Sequence, residues 1–190
     1  MRRHILLTIA TLPLLLPAHA WADDVADALA EATRSYQTGQ IAAAKTAIEE
    51  ALQLLAQRTA AGLGSALPNP LPGWQAEKAE TQTAPLALMG GGSQASRRYK
   101  NATGQDVEIQ VTADSPVLAQ LGMVLANPAI AGAMGKLIRV GGQRAIQTNN
   151  NEIQMLVNNR ILVMVNGSAT IEDKLAYAQA IDLTKLSSRQ

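Results

Sequence analysis

The chain contains no cysteine and no phenylalanine, and only 3% of it is aromatic. Without cysteine it has no disulfide, no thiolate nucleophile, no thiolate metal ligand and no thioether-linked lipid. Without phenylalanine its core must be built from Leu, Ile, Val, Met and Ala. Charged residues make up 16% of the chain, and the formal net charge is +1. No strong field of one sign follows, so nucleic acid is not an expected partner. Histidine occurs only at His4 and His19.

Both histidines fall in a segment that reads as a secretory signal. Arg2 and Arg3 form a basic start, residues 5–16 are apolar, and Pro17 breaks the run. Ala18-His19-Ala20 is a small-x-small cleavage site, and Ala20-Trp21-Ala22 is a second one. The alternative is a retained anchor, but the apolar run is shorter than the roughly 20 residues a membrane-spanning helix needs. The Arg2-Arg3 pair raises twin-arginine export without further support around it. The expected product is a soluble periplasmic protein exported across a bacterial-type inner membrane. Losing Arg2 and Arg3 turns the net charge to −1. The mature chain then has neither imidazole nor thiol. That excludes His-assisted serine triads and the usual zinc and copper ligand sets. No catalytic residue, metal ligand or cofactor is nominated.

What the chain does have is pattern. Residues 152–165, EIQMLVNNRILVMV, are two apolar, β-branched runs around Asn158-Asn159. Two residues that tolerate positive φ between such runs predict a β-hairpin. Residues 106–112 alternate Val107, Ile109 and Val111 with polar neighbours, the period of a sheet with one wet face. They pair with 96–100 across a turn at Asn101, Thr103 and Gly104. A strand is expected within 77–89, and a loop at Gly90-Gly91-Gly92-Ser93. Residues 137–140 and 144–148 flank Gly141-Gly142, another hairpin signal. Asn149-Asn150-Asn151 is the next turn. Asn166-Gly167 ends the last strand, and Thr170 caps a closing helix over 171–181, with Leu175, Ala178 and Ile181 inward and Tyr177 at its edge.

Two helices are expected over 23–58. The first has Val25, Leu29, Ala32 and Tyr36 on its apolar face; the second has Ile41, Ala44, Ile48, Ala51, Leu52 and Leu55. Gly39-Gln40 is the turn. Residues 59–72 hold Gly62, Gly64, Pro68, Pro70 and Pro72 and read as a linker. The organisation expected is a signal peptide (1–22), a helical hairpin (23–58), a Pro/Gly linker (59–72) and an α+β domain (73–190). The fold class is α+β: an N-terminal αα-hairpin followed by an antiparallel sheet covered by helices.

Residues 115–135 carry no charge. Asp114 or Ser115 caps a helix with Pro116 first and Val117, Leu118, Leu121, Val124 and Leu125 on one face. Asn127-Pro128 stops it, and AIAGAMG follows. This segment either packs on the sheet or offers an exposed apolar surface to a partner or lipid. Trp74 plugs one end of the core or stacks on a ligand. The candidate binding residues are Trp74, Tyr36, Leu118, Leu121, Met123 and Leu125. The expected partner is an envelope protein or a second copy, with peripheral membrane contact open.

Two resemblances add to this. The spacing Leu29, Ala32, Tyr36, Gly39, Ala44, Ile48, Ala51 resembles one tetratricopeptide unit, with Ala56 near the family's closing proline. Arrays of that family need about three units to be stable. From Pro72-Gly73-Trp74 through Tyr177-Ala178 and Ile181-Asp182, residues 72–186 resemble the Mog1/PsbP-type α+β sandwich. That likeness implies a non-enzymatic accessory or binding protein, several of which are exported. Two other functions stay open. A carboxylate-dependent envelope hydrolase would need two acids about 5–10 Å apart, from Asp106, Glu108, Glu152 and Asp182. Cu(I) handling would use thioethers of Met89, Met123, Met134, Met155 and Met164.

Overall fold

The computed structural model describes residues 23–84, 92–115, 118 and 127–187. The signal-peptide reading, the Gly90-Gly91 loop and the candidates Leu121, Met123 and Leu125 lie outside these residues.

Alternation between β-branched and polar residues builds one antiparallel sheet of eight strands. These are β1 (Trp74–Ala76), β2 (Glu80–Ala84), β3 (Gly92–Asn101), β4 (Asp106–Ala113), β5 (Gly135–Val140), β6 (Gln143–Thr148), β7 (Ile153–Val157) and β8 (Ile161–Asn166). The spatial order is β1-β3-β4-β8-β7-β6-β5, with β2 also paired to β3. One edge is thus shared by two short strands, β1 on the Tyr99 end of β3 and β2 on its Gly92 end. The meander β5 to β8 returns to the first strands through β4 and β8, whose register runs from Glu108↔Asn166 to Ala113↔Ile161. The α+β class expected above is the observed one.

The central hairpin forms as its sequence demands. Val157 pairs with Ile161, and Asn158 and Asn159 take φ of 51° and 55°. Asparagine tolerates that left-handed region because its short amide bonds locally. Ile153, Met155, Val157, Ile161, Val163 and Val165 all point to one face and are buried. Gly141-Gly142 turns β5 into β6 with both residues at positive φ.

Helices complete the fold. They are α1 (Asp24–Gln37), α2 (Ile41–Ala66), α3 (Pro128–Met134), α4 (Ile171–Ala180) and α5 (Leu183–Ser187). Leu63, Ala66 and Leu67 from α2 and its end join Tyr177, Ala178, Ile181 and Leu186 over the sheet. Thr170 caps α4 by accepting from the Asp173 amide at 3.2 Å. Lys174 is buried, and its ammonium donates to the Asn151 carbonyl at 3.0 Å.

Several expectations are corrected. The second helix does not end at Arg58 but runs to Ala66. Gly62 and Gly64 each cost about 1 kcal/mol of helix propensity relative to alanine. Gly64 lies close to the sheet: a Cβ there would touch Thr81 Cγ2 at 3.4 Å. Gly92 and Ser93 belong to β3, because they pair with Ala84 and Thr83 of β2. Pro128 opens α3, the position where its missing N–H costs nothing, and the helix it was expected to stop lies outside the described residues. Tyr177 is not at an edge; it is fully buried at the centre of the core.

Tyr177 organises an aromatic cluster. Its ring lies 4.3 Å from that of Tyr99 and edge-on to Trp74 at 5.3 Å. The Tyr99 hydroxyl donates to the Pro68 carbonyl at 2.8 Å, and the Leu71 amide donates to the Tyr177 hydroxyl at 3.2 Å. The proline-rich strip after α2 is thereby pinned to the core. Burial pushes the Tyr99 phenol up to about 12.

The end of β8 is clasped to the start of β4. The Ala169 amide donates to the Asp106 carbonyl at 2.9 Å, and Gly167, at φ 118°, lies directly over that oxygen. Gly104 also has positive φ, at 83°, but faces open space. Gly104→Ala should therefore cost about 1–2 kcal/mol, from the backbone conformation alone. Gly167→Ala should cost clearly more, because its Cβ has no room beside Asp106. Urea unfolding of the two variants checks this; equal losses would refute the clasp.

Candidate functional site

The helical hairpin closes through alanine. α1 buries Val25, Ala28, Ala32 and Ser35, and the facing half of α2 buries Ala44, Ala47 and Ala51. Small residues let two helices approach to the short end of the usual 8–10 Å range. The Ser35 hydroxyl is satisfied by Glu31 at 3.1 Å. At the open end Asp23 caps α1 and pairs with Arg58 at 2.5 Å, which holds its carboxyl below the usual range.

This contact overturns the expected rotation of both helices. Leu29 and Tyr36 were expected inside with Val25 and Ala32, and Ile41, Ile48, Leu52 and Leu55 inside with Ala44 and Ala51. All six are instead exposed, from 43% at Leu52 to 69% at Tyr36. The alanine arcs suffice to join the helices, so the larger side chains are turned aside.

The exposed residues are ordered. On α2 they fall at 41, 48, 52 and 55, and the positions 41, 45, 48, 52, 55, 59, 62 and 66 alternate steps of four and three. That is the spacing of a helix-pairing seam. Burial rises along it: its members from 41 to 55 are exposed, Thr59 is half-buried, and Gly62 and Ala66 are buried. One stripe is therefore covered at its C-terminal end, where Gly62 shares a cleft with Lys185 and Leu186 and the Ala66 carbonyl accepts from the Asp182 amide, and by nothing among the described residues at its N-terminal end. Lys45 is its single charged member. On α1, Leu29 and Tyr36 are seven residues apart. Helical rotation puts them on the same side of the antiparallel hairpin as the α2 stripe.

The stripe runs into a cleft of about 310 Å³ lined by Leu55, Arg58, Leu63, Arg160, Ile161 and Leu186, among others. Its cations are already paired: Arg58 with Asp23, Arg160 with Asp114 at 2.9 Å, and Lys185 with Asp182 at 3.4 Å. The cleft therefore offers apolar walls and a neutral mouth. A second, more open groove between α1 and α2 holds Asp24, Asp27, Glu31 and Glu50 beside Arg34.

The other sequence candidates separate. Tyr36 and Trp74 lie beyond opposite ends of α2, and Trp74 is half-buried against Tyr177. Leu118 is buried, only 5% exposed, and so offers no surface to a partner. Of the methionines, Met155 faces the core, while Met164 points to the opposite face of the sheet; they cannot share an ion. Asp106 and Glu108 share Arg98, at 3.9 and 2.7 Å. Glu152 precedes β7, and Asp182 caps α5 by accepting from the Lys185 amide at 3.0 Å. None of these four acids lines either cleft. Among the described residues no three acidic, His or Cys side chains converge as a metal site. No helix among them is long and apolar enough to cross a membrane.

No family model, no curated protein and no solved structure matches the chain.

Asp106 has a structural task. It accepts from the Ser168 hydroxyl and from the Ser168 amide at 3.1 Å. The hydroxyl bond, more than nearby Arg98, holds its carboxyl below the ordinary value. A carboxyl lowered on folding adds stability that is present above its unfolded value, near 3.8, and lost as pH falls through the lower folded value. Ser168→Ala should move the Asp106 carboxyl resonance up toward the unfolded value and shift acid unfolding to higher pH. An unchanged Asp106 titration would refute the assignment.

Proposed function

We propose that this chain is an exported, non-catalytic binding or accessory module that holds a partner protein against the apolar side of its helical hairpin. The observation that carries the reading is the stripe of Ile41, Ile48, Leu52 and Leu55 with Leu29 and Tyr36, all exposed on one side of α1 and α2. Full burial of one such side chain is worth about 1.5–3 kcal/mol, so six left near half exposure forgo stabilisation comparable to the 5–15 kcal/mol that holds a whole domain. A face of that kind on a soluble protein marks a contact surface. The hairpin suits the role because α2 continues into the core, so a helix bound there rests on a rigid support. The Mog1/PsbP-type likeness of residues 72–186 points the same way.

Export is supported by Arg2-Arg3, the apolar run of residues 5–16 and the two small-x-small sites. A mature chain beginning after Ala20 or Ala22 has neither His nor Cys, which favours contact over covalent or metal chemistry. Expression in a Gram-negative host should place the chain in the periplasm, with Trp21 or Asp23 as its N-terminal residue by sequencing. A cytoplasmic chain beginning at Met1 or Arg2 would end the export reading.

The contact surface is tested by a photo-cross-linking residue at position 52 in the native envelope. A defined adduct is expected. Ile41→Ser with Leu55→Ser should reduce it by about tenfold or more, as loss of central interface side chains does. Exposed substitutions of this sort change fold stability by about 0.5 kcal/mol or less each. An adduct that ignores both substitutions, or none at all, would remove the reading.

A further inference from the structure

We propose that the partner on the hairpin is a second copy of this chain, so that two hairpins close into a four-helix bundle around a two-fold axis. This rests on the reading of the hairpin as a contact surface and names its occupant. The stripe is complementary to itself. If α2 crosses α2 of the other copy antiparallel with the axis beside Ala47, residues whose numbers sum to 94 face each other. Ile48, one residue from the axis, then lies only about 3 Å along the helices from Ile48 of the other copy and reaches it across the axis, and Leu52 comes to lie beside Ile41. In the same arrangement Lys45 of each copy faces Glu49 of the other. Lys45 is the one charge within the exposed seam, and Glu49 is the exposed acid one turn along from it. A lone polar residue in an apolar helix seam sets register, and a two-fold axis uses it twice.

Area supports the same occupant. Six large apolar side chains at 43–69% exposure offer on the order of 500 Å² per copy. With the small residues between them the patch approaches the roughly 800 Å² per partner of standard stable interfaces. Leu29 and Tyr36 supply the outer pair of helices, which a single α2–α2 contact would leave bare. The sheet ends near Leu55, at the cleft shared with Ala113 and Ile161, so the crossing lies beyond it.

The purified chain should sediment at twice its monomer mass at micromolar concentration. Ile48→Glu should yield a monomer with unchanged far-ultraviolet circular dichroism. Lys45→Glu should weaken the dimer about tenfold, and adding Glu49→Lys should restore it, because the exchange re-forms both inter-copy pairs. Since the chain has no other thiol, Ile48→Cys should oxidise to a disulfide-linked dimer, whereas Glu50→Cys, on the opposite side of α2, should not. A wild-type chain that stays monomeric, or a dimer indifferent to Ile48→Glu and not cross-linked through Ile48→Cys, overturns the proposal. A monomer whose position-52 adduct is still lost with Ile41→Ser and Leu55→Ser overturns only the second copy as occupant and leaves the contact surface standing.

Discussion

The pairing of β4 with β8 is the joint on which this fold depends. It ties strands β1 to β4 to the meander β5 to β8, and among the described residues it is the one strand contact between the two sets. Everything apolar meets across it: Val107, Ile109 and Val111 on one strand, Ile161, Val163 and Val165 on the other, all at most 6% exposed. Its partners are more than forty residues apart in sequence, so closing it costs loop entropy that local hairpins do not pay. Asp106 secures its open end, with its carbonyl and carboxylate both engaged by residues 168 and 169. The glycine at 167 is there because only a residue without Cβ can pass that close.

Much of this was legible from pattern. The hairpin at 158–159 follows from two asparagines between apolar runs, the alternation of 106–113 from period two, and α4 from Thr170 with Asp173 three residues on. These signals are local, and local signals are what a sequence displays. The β4–β8 pairing was not legible, since nothing in either strand names its neighbour. Nor was the true end of α2. Gly62, Gly64 and the prolines after them look like a linker, and the propensity cost is real. Packing against Thr81 and Ala95 offsets it, and packing is invisible in one dimension.

The candidate site was legible in content but not in orientation. The hairpin itself, its turn at Gly39 and its apolar residues could all be read. Its rotation could not. Reasoning from transfer free energy puts Leu29, Ile48 and Leu52 inside, because they gain most from burial. Close helix packing instead selects Ala28, Ala32, Ala44, Ala47 and Ala51, because small residues permit short interaxial distance. Both arcs lie side by side on each helix, and the sequence alone does not say which one wins. Tyr36 was named as a contact residue although it was placed on the inner face; its 69% exposure fits the first role and not the second.

The residue sizes along α2 argue that the open stripe is not a failed attempt to cover the sheet. Where the stripe is buried, its members are Gly62 and Ala66, and on Gly64 beside it a Cβ would already touch Thr81 Cγ2 at 3.4 Å. Where it extends past them, its members are Ile41, Ile48, Leu52 and Leu55. Side chains of that bulk in place of the small ones would push against residues 182–186, where the Asp182 amide donates to the Ala66 carbonyl. Conversely, glycine and alanine in the open half would leave a smooth, weakly apolar surface. The stripe changes from small to large where its burial ends. A helix carrying large apolar residues at alternating steps of three and four is shaped to receive side chains between its own. Within one copy, α1 cannot supply them, because its alanines already face the alanines of α2. Among the described residues nothing else lies along the stripe, which is the surface the proposed second copy would cover.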